Sequence, residues 1–220
     1  MFREHAVIFG TGGLAKELVA YLEDGCITQP EPRGLPSTTW RYKIVGAVST
    51  ERWDNPDYDW CPVWDDLGGI DLSTVACFLA VADPATKRKI VSRFQSLPWQ
   101  TYIHPTCTVS AYAKIGRGCL LAPQTILTGD CKLGDFVFLN TNATVGHDST
   151  IGNFATLFPN TEVCGNCDIG EDCVFGIGAY ALPHVSMVAG AKASAGAVVR
   201  KPVLEPVTVY GDPAKSKRLA

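Results

Sequence analysis

The sequence predicts an α/β unit followed by a parallel β-solenoid, and two patterns carry that prediction. From Ile103 onward every sixth residue is apolar, through Val109, Ile115, Leu121, Leu127, Leu133, Leu139, Val145, Ile151, Leu157, Val163, Ile169, Phe175, Ala181, Met187 and Ala193 to Val199. Four residues after these sits a small or short side chain, as at Cys107, Ala113, Cys119 and Thr125, and glycine often follows the apolar residue, as at Gly116, Gly134, Gly146, Gly152 and Gly170. A period of six fits neither a helix nor an alternating strand, so each hexad supplies one short strand and one corner of a solenoid. The second pattern lies before residue 100, where apolar runs alternate with helical stretches in the β-α-β order of a small Rossmann-like sheet.

The chain has 220 residues, 46% of them apolar, enough for two cores, which we divide as residues 1–99 and 100–220. A formal net charge of −3 with no basic run argues against a nucleic-acid partner. The opening MFREHAVIFG has only a short apolar stretch, so no signal peptide or membrane span is expected, and the predicted compartment is the cytoplasm. Of the 9 cysteines, Cys107, Cys119, Cys131, Cys167 and Cys173 fall on the small-residue position of the hexad, where a compact apolar group is wanted. The Cys164–Cys167 CxxC has no second pair, so neither zinc nor a disulfide is expected.

Taken in order, residues 5–9 read as a buried strand, Gly10-Thr11-Gly12-Gly13 as a tight turn, and Leu14 to Glu23 as an amphipathic helix. Such a turn lets a helix N-terminus offer N–H groups to an anion such as a phosphate. The third glycine of a dinucleotide fingerprint is replaced by Ala15, so NAD is not expected. Residues 25–39, rich in proline, read as a loop or insertion, and Arg41 to Val48 as a second strand. A short strand is expected at Pro62–Trp64, a helical turn at Asp65–Leu67 and a central parallel strand at Val75–Val81. Asp83 caps a helix that opens with Pro84 and runs to about Phe94. The solenoid is expected to stop at Lys201-Pro202, with 203–209 as a strand or extended tail.

The repeat resembles that of the hexapeptide-repeat acyltransferases, which implies a left-handed parallel β-helix with three hexads per coil. On that winding residues i and i+18 stack ~4.8 Å apart. Acyl transfer to an amine or hydroxyl needs a base for the attacking group and N–H donors for the oxyanion. His147 is the one histidine in the middle coils, and it falls at a corner beside Asp148, which can orient the imidazole. Its column neighbours are Gly129 and Gly165, which predicts open space around the ring and an unobstructed Gly165 N–H. His104, His184 and His5 sit at the first coil, an upper corner and a strand start. Separations of 43 and 37 residues between the repeat's histidines do not provide the closely spaced zinc ligands of a carbonic anhydrase on this fold.

The segments GTGGLAK, IHPTCTVS, LNTNATVGHDSTIGNF and VYGDPAK, in that order, resemble the bacterial nucleotide-sugar N-acetyltransferases that acetylate a 4-amino sugar, and the related sialic acid O-acetyltransferases. The resemblance covers nearly the whole chain. It implies a homotrimer with acetyl-CoA as co-substrate in the groove between two β-helices, no metal, and a nucleotide-linked amino sugar held by the N-terminal domain. It implies His147 as catalytic base followed by Asp148, and Gly165 as the oxyanion donor. Gly176, Gly178, Ala179, Gly190, Gly196, Gly211, Pro213 and Ala214 match the stretch that lines the coenzyme. Gly10, Gly12, Gly13 and Asn140 match acceptor-binding positions. The chain departs from the family in three ways: Leu14 and Thr156 each stand where histidine is usual, and Ser49-Thr50 where a pair of acids reads the nucleotide. The expected reaction is N-acetylation. The alternatives are O-acetylation of a sugar hydroxyl and a non-catalytic β-helix scaffold.

Overall fold

The computed structural model describes residues 5–24, 26–27, 39–40, 42–49, 63–64 and 75–216. The N-terminal part contains β1 (His5–Phe9), α1 (Gly13–Asp24), β2 (Cys26–Ile27), β3 (Thr39–Trp40), β4 (Lys43–Val48), β5 (Val63–Trp64), β6 (Val75–Leu79) and α2 (Pro84–Arg93). Four strands form a parallel sheet in the order β5-β4-β1-β6. The strand expected to be central, β6, lies at the edge of this sheet, yet it and β1 read as continuous apolar runs because both faces are covered: Ala6, Ile8 and Phe78 pack with Leu18 and Leu22 of α1, and Val7, Phe9 and Leu79 with Ile90 and Val91 of α2. Among the described residues, α1 and α2 are the helices that flank this sheet. Asp83 caps α2, accepting from the Thr86 backbone N–H and hydroxyl at 2.8 and 2.7 Å.

Two sequence expectations change here. The ends of the proline-rich segment are not loop, because β2 and β3 pair as a short antiparallel ladder. The rest of that segment, and the helical turn at Asp65–Leu67, lie outside the described residues.

From Tyr102 the hexads wind as expected, each giving a two-residue strand whose second residue is the repeating apolar one. Residues eighteen apart pair in parallel, as Leu120 does with Phe138 and Leu121 with Leu139. Three faces result, starting with Tyr102–Ile103, Thr108–Val109 and Lys114–Ile115, and each corner is numbered here by the face it follows. The register residues fill the interior: Leu121, Leu139, Val145, Ile151, Leu157, Val163, Phe175 and Ala181 are all 0% exposed. The small residues fit the corners, and their thiols and hydroxyls donate to carbonyls of the next coil, as Cys119 Sγ does to Gly134 O (3.1 Å) and Ser149 Oγ to Cys164 O (2.8 Å). Burial pushes the Cys119 and Cys173 thiols up to about 12, so these cysteines are packing groups.

Every sixth residue from Gly118 to Gly196 has a positive φ. The left-handed region favours Gly, Asn and Asp, which hold most of these positions. Phe136 and Phe154 are exceptions on the third corner. They stack at 5.2 Å, and Phe136 packs edge-on against Trp99, so the N-terminal unit covers this corner. Tyr102, Leu120 and Phe138, on the outside of the first face, pack with Leu18 and Leu22 of α1. The N-terminal unit therefore sits on the first face, between the first and third corners.

The solenoid does not stop at Lys201-Pro202. Val203 bridges to Met187, and Thr208–Tyr210 pairs with Lys192 and Ala193 before Lys215–Ser216 folds back on it. The separations fall from eighteen residues to sixteen in this last turn, which hides it from a count by sixes.

Candidate active site

His147 sits on the second corner, two residues after Val145. Its Nδ1 lies 2.8 Å from Asp148 Oδ2. A carboxylate accepts only, so Nδ1 donates to it, and in the neutral ring Nε2 is left as the acceptor. Asp148 holds this position through a left-handed φ of 58° and its N–H bond to Gly129 O (3.0 Å). Both side chains are more than half exposed.

The surroundings of the ring differ from the expectation at one side. Beside Gly129 nothing lies within 4 Å of an added Cβ, so that side is open. At Gly165 the same atom would lie 2.6 Å from His147 Nε2 and 2.7 Å from Cε1. Gly165 is buried, with the imidazole leaning over its Cα, so the open space expected on this side of the ring is absent. Its carbonyl accepts from His184 N–H (3.2 Å), while its own N–H has no acceptor among the described residues. Gly146 backs the arrangement, since its Cβ would meet Gly165 N at 2.5 Å. The column therefore holds a base and an uncommitted N–H side by side. His184 stands two coils above Asp148 in the same corner, with a φ of 66°.

The predicted acceptor residues are divided. Gly10 takes a φ of 129°, and a Cβ there would strike Ala80 O at 2.5 Å, so this position requires glycine. Gly12 and Gly13 have open space where a Cβ would be, and Gly13 begins α1. Ser49 is buried at the end of β4, and Leu14 packs partly against the cluster beneath α1. Asn140 is on the first corner, its Oδ1 accepting from Thr141 N–H at 2.7 Å. None of these shares the second corner with His147.

The residues matched to the coenzyme also separate. Gly178 and Gly196 lie on the first corner with positive φ and nothing near the Cβ position, leaving bare backbone there. Gly176 is a packing glycine, its Cβ position 2.5 Å from Ala195 N. Ala179 is 0% exposed, and its N–H and C=O are both bonded to the coils, so it offers no group to a ligand. Gly190 is on the third corner, where its neighbour is Pro206 at 3.6 Å. The tail returns to the second face: Val198 N–H donates to Gly211 O (2.9 Å), and Ala214 N–H donates to Val198 O (2.8 Å), with a cis bond before Pro213. Among the described residues no group of three His, Cys, Asp or Glu side chains could hold a metal ion, and no helix is long and apolar enough to cross a membrane.

Sequence reasoning passed over Lys87. It is 1% exposed, and its Nζ donates to Phe136 O, Ala155 O and Thr156 Oγ1 at 3.0, 3.0 and 2.9 Å. A signal was present, because Lys87 is three residues from both Pro84 and Ile90 and so shares the buried face of α2 with them.

No protein-family model matches the chain. Solved structures are similar over nearly its full length. The acetyltransferase domain of PglB from Neisseria gonorrhoeae FA1090 is 26% identical, with 97% of this chain and 100% of that one covered and a TM-score of 0.82. PerB from Caulobacter crescentus, in complex with CoA and GDP-perosamine, is 27% identical over 97% of each chain, with a TM-score of 0.80. A variant of GDP-perosamine N-acetyltransferase from the same organism, with the same ligands, is 26% identical over 97% of this chain and 96% of that one, with a TM-score of 0.79. In its hexad solenoid and over nearly its whole length the chain is similar to these acetyltransferases, which supports an acyltransferase. Two of the three neighbours hold CoA and GDP-perosamine.

Proposed function

We propose that this protein transfers the acetyl group of acetyl-CoA to the amino group of a nucleotide-linked amino sugar. The amine nitrogen attacks the thioester carbonyl, and His147 Nε2 takes the proton that nitrogen must lose. The Gly165 N–H stabilises the oxyanion, the C–S bond breaks, and the proton passes to the departing CoA sulfur. Asp148 keeps the imidazole in the tautomer that accepts at Nε2 and stabilises it once protonated. The observation that carries this reading is the His147–Asp148 pair leaning over a glycine whose N–H has no acceptor among the described residues.

Residues 1–99 act as a small Rossmann-like unit that holds the nucleotide sugar through the turn Gly10, Gly12 and Gly13, with Leu14 and Ser49 beside it, and Asn140 adds a contact from the first corner of the solenoid. Residues 100–220 carry acyl transfer. The second face joins the corner of Gly178 and Gly196 to the corner of His147, and its upper edge bears Gly211, Pro213 and Ala214. That path suits a coenzyme lying along the face with its thioester at His147. The N-terminal unit covers the first face, across the solenoid from the second corner. This separation supports a homotrimer in which the unit of one protomer presents the sugar to His147 of the next. The described cysteines are thiols, in keeping with a reducing cytoplasm. An acetyl-CoA turnover assay across UDP-, dTDP- and GDP-linked amino sugars, with free sialic acid as the hydroxyl acceptor, tests the reading. Turnover with an amino sugar is expected, and turnover of sialic acid alone would replace N- by O-acetylation.

A further inference from the structure

Lys87 reaches from the first turn of α2 into the solenoid and is spent on nothing the reaction uses. Its three acceptors lie on the third corner and the first face. Among the described residues no backbone N–H reaches Phe136 O, so without Lys87 this buried carbonyl would have no donor among them. Thr156, itself 0% exposed, extends the contact: it accepts from Lys87 and donates its hydroxyl to Ala82 O at 2.6 Å. Ala82 belongs to the loop between β6 and α2, and that loop forms the wall of the glycine turn. Ala80 N–H bonds Phe9 O at 2.9 Å, and Ala80 O sits 2.5 Å from where a Gly10 Cβ would be. An unbroken set of contacts thus runs from the solenoid through Lys87 and Thr156 to the turn. Arg88 adds a half-exposed anchor beside it, with Nε 2.7 Å from Asp172 Oδ1.

We propose that Lys87 and Thr156 are positioning residues that clamp the β6–α2 loop, and with it the glycine turn, onto the solenoid, and so set the affinity for the nucleotide sugar without touching either substrate. The proposal rests on the reading of the turn as the acceptor site. Thr156 stands where the resemblance leads one to expect a histidine, and the buried lysine accounts for the exchange: a hydroxyl accepts from the ammonium and donates to Ala82 in a space fully enclosed by protein.

Steady-state kinetics of the intact protein tests it, with both substrates varied and Lys87→Met, Thr156→Val and Thr156→Ser compared. Loss of one or more buried hydrogen bonds predicts an acceptor KM raised about tenfold in Lys87→Met and about threefold in Thr156→Val. The acetyl-CoA KM should stay within about twofold of wild type, and Thr156→Ser, which keeps the hydroxyl, should restore the acceptor KM to within about twofold. If Lys87→Met does not fold, the isosteric Thr156→Val and its serine rescue carry the test. An unchanged acceptor KM, or equal rises in both KM values, overturns the clamp while leaving the acetyltransferase reading intact. A wild-type protein that turns over no nucleotide sugar removes that reading and the clamp with it.

Discussion

His147 and Gly165 constrain each other. A methyl group at 165 would have to occupy space 2.6 Å from Nε2, so the ring must swing away and lose its bond to Asp148. Gly165 is not in the positive-φ set, so alanine there is tolerated by the backbone. Gly165→Ala should therefore lower kcat by about 10²-fold or more, the scale of a lost general base, while the melting temperature stays within a few degrees. Steady-state kinetics beside a thermal melt checks both. Lys87 makes a second prediction at this scale. Burial pushes its ammonium down to about 7, against the weaker opposing pull of Cys119, Asp172 and Asp83. A lysine in the unfolded chain titrates near ~10.4. Between those values the unfolded chain holds a proton that the folded one has lost, so stability rises with pH from about 7 towards 10. The slope is at most about 1.4 kcal/mol per pH unit. A neutral amine has one donor fewer for its three acceptors, a cost that narrows the pH window over which the rise occurs. Urea titrations at several pH values should show the rise in wild type and lose it in Lys87→Met. His147 was legible from the register because stacking by eighteens names its neighbours. The lean of its ring over Gly165 was not, since side-chain direction depends on the Asp148 bond and not on the repeat.

At the scale of elements, the corner is the unit that repeats most strictly. One residue per corner must adopt a positive φ, which explains the run of Asp130, Asn142, Asp148, Asn160, Asn166 and Asp172. Asn166 is exposed, with a φ of 58°. Asn166→Ala should cost about 1 kcal/mol and Asn166→Gly close to nothing, read as shifts of a denaturation midpoint. Phe136 and Phe154 take the same φ without that tolerance, and their packing against Trp99 and Arg88 offsets the strain. The sequence made the strands, the caps of α2 and the hexad faces readable because each is a local pattern. It concealed the final turn of the solenoid, where sixteen residues replace eighteen, and the β2–β3 ladder, because neither keeps a periodic signal. Lys87 was hidden for another reason: its charge outweighed its place on the apolar face of α2.

For the whole molecule, the main fact is the opposition of two surfaces. The N-terminal unit is on the first face, and the His147–Asp148 pair is on the corner across from it. On the proposed reading a single chain carries both halves of the site turned away from each other, and association joins them. Sedimentation equilibrium should give three times the mass of 23.6 kDa. Mixing a His147→Ala chain with a Gly10→Val chain should restore activity that neither has alone, since each supplies the half the other lacks. The most direct test of the central claim is acetyl transfer by His147→Ala, assayed on the best nucleotide-linked amino sugar with wild type in parallel. The account predicts a kcat lower by about 10²–10⁴-fold with the acetyl-CoA KM nearly unchanged. Full turnover by His147→Ala would contradict it.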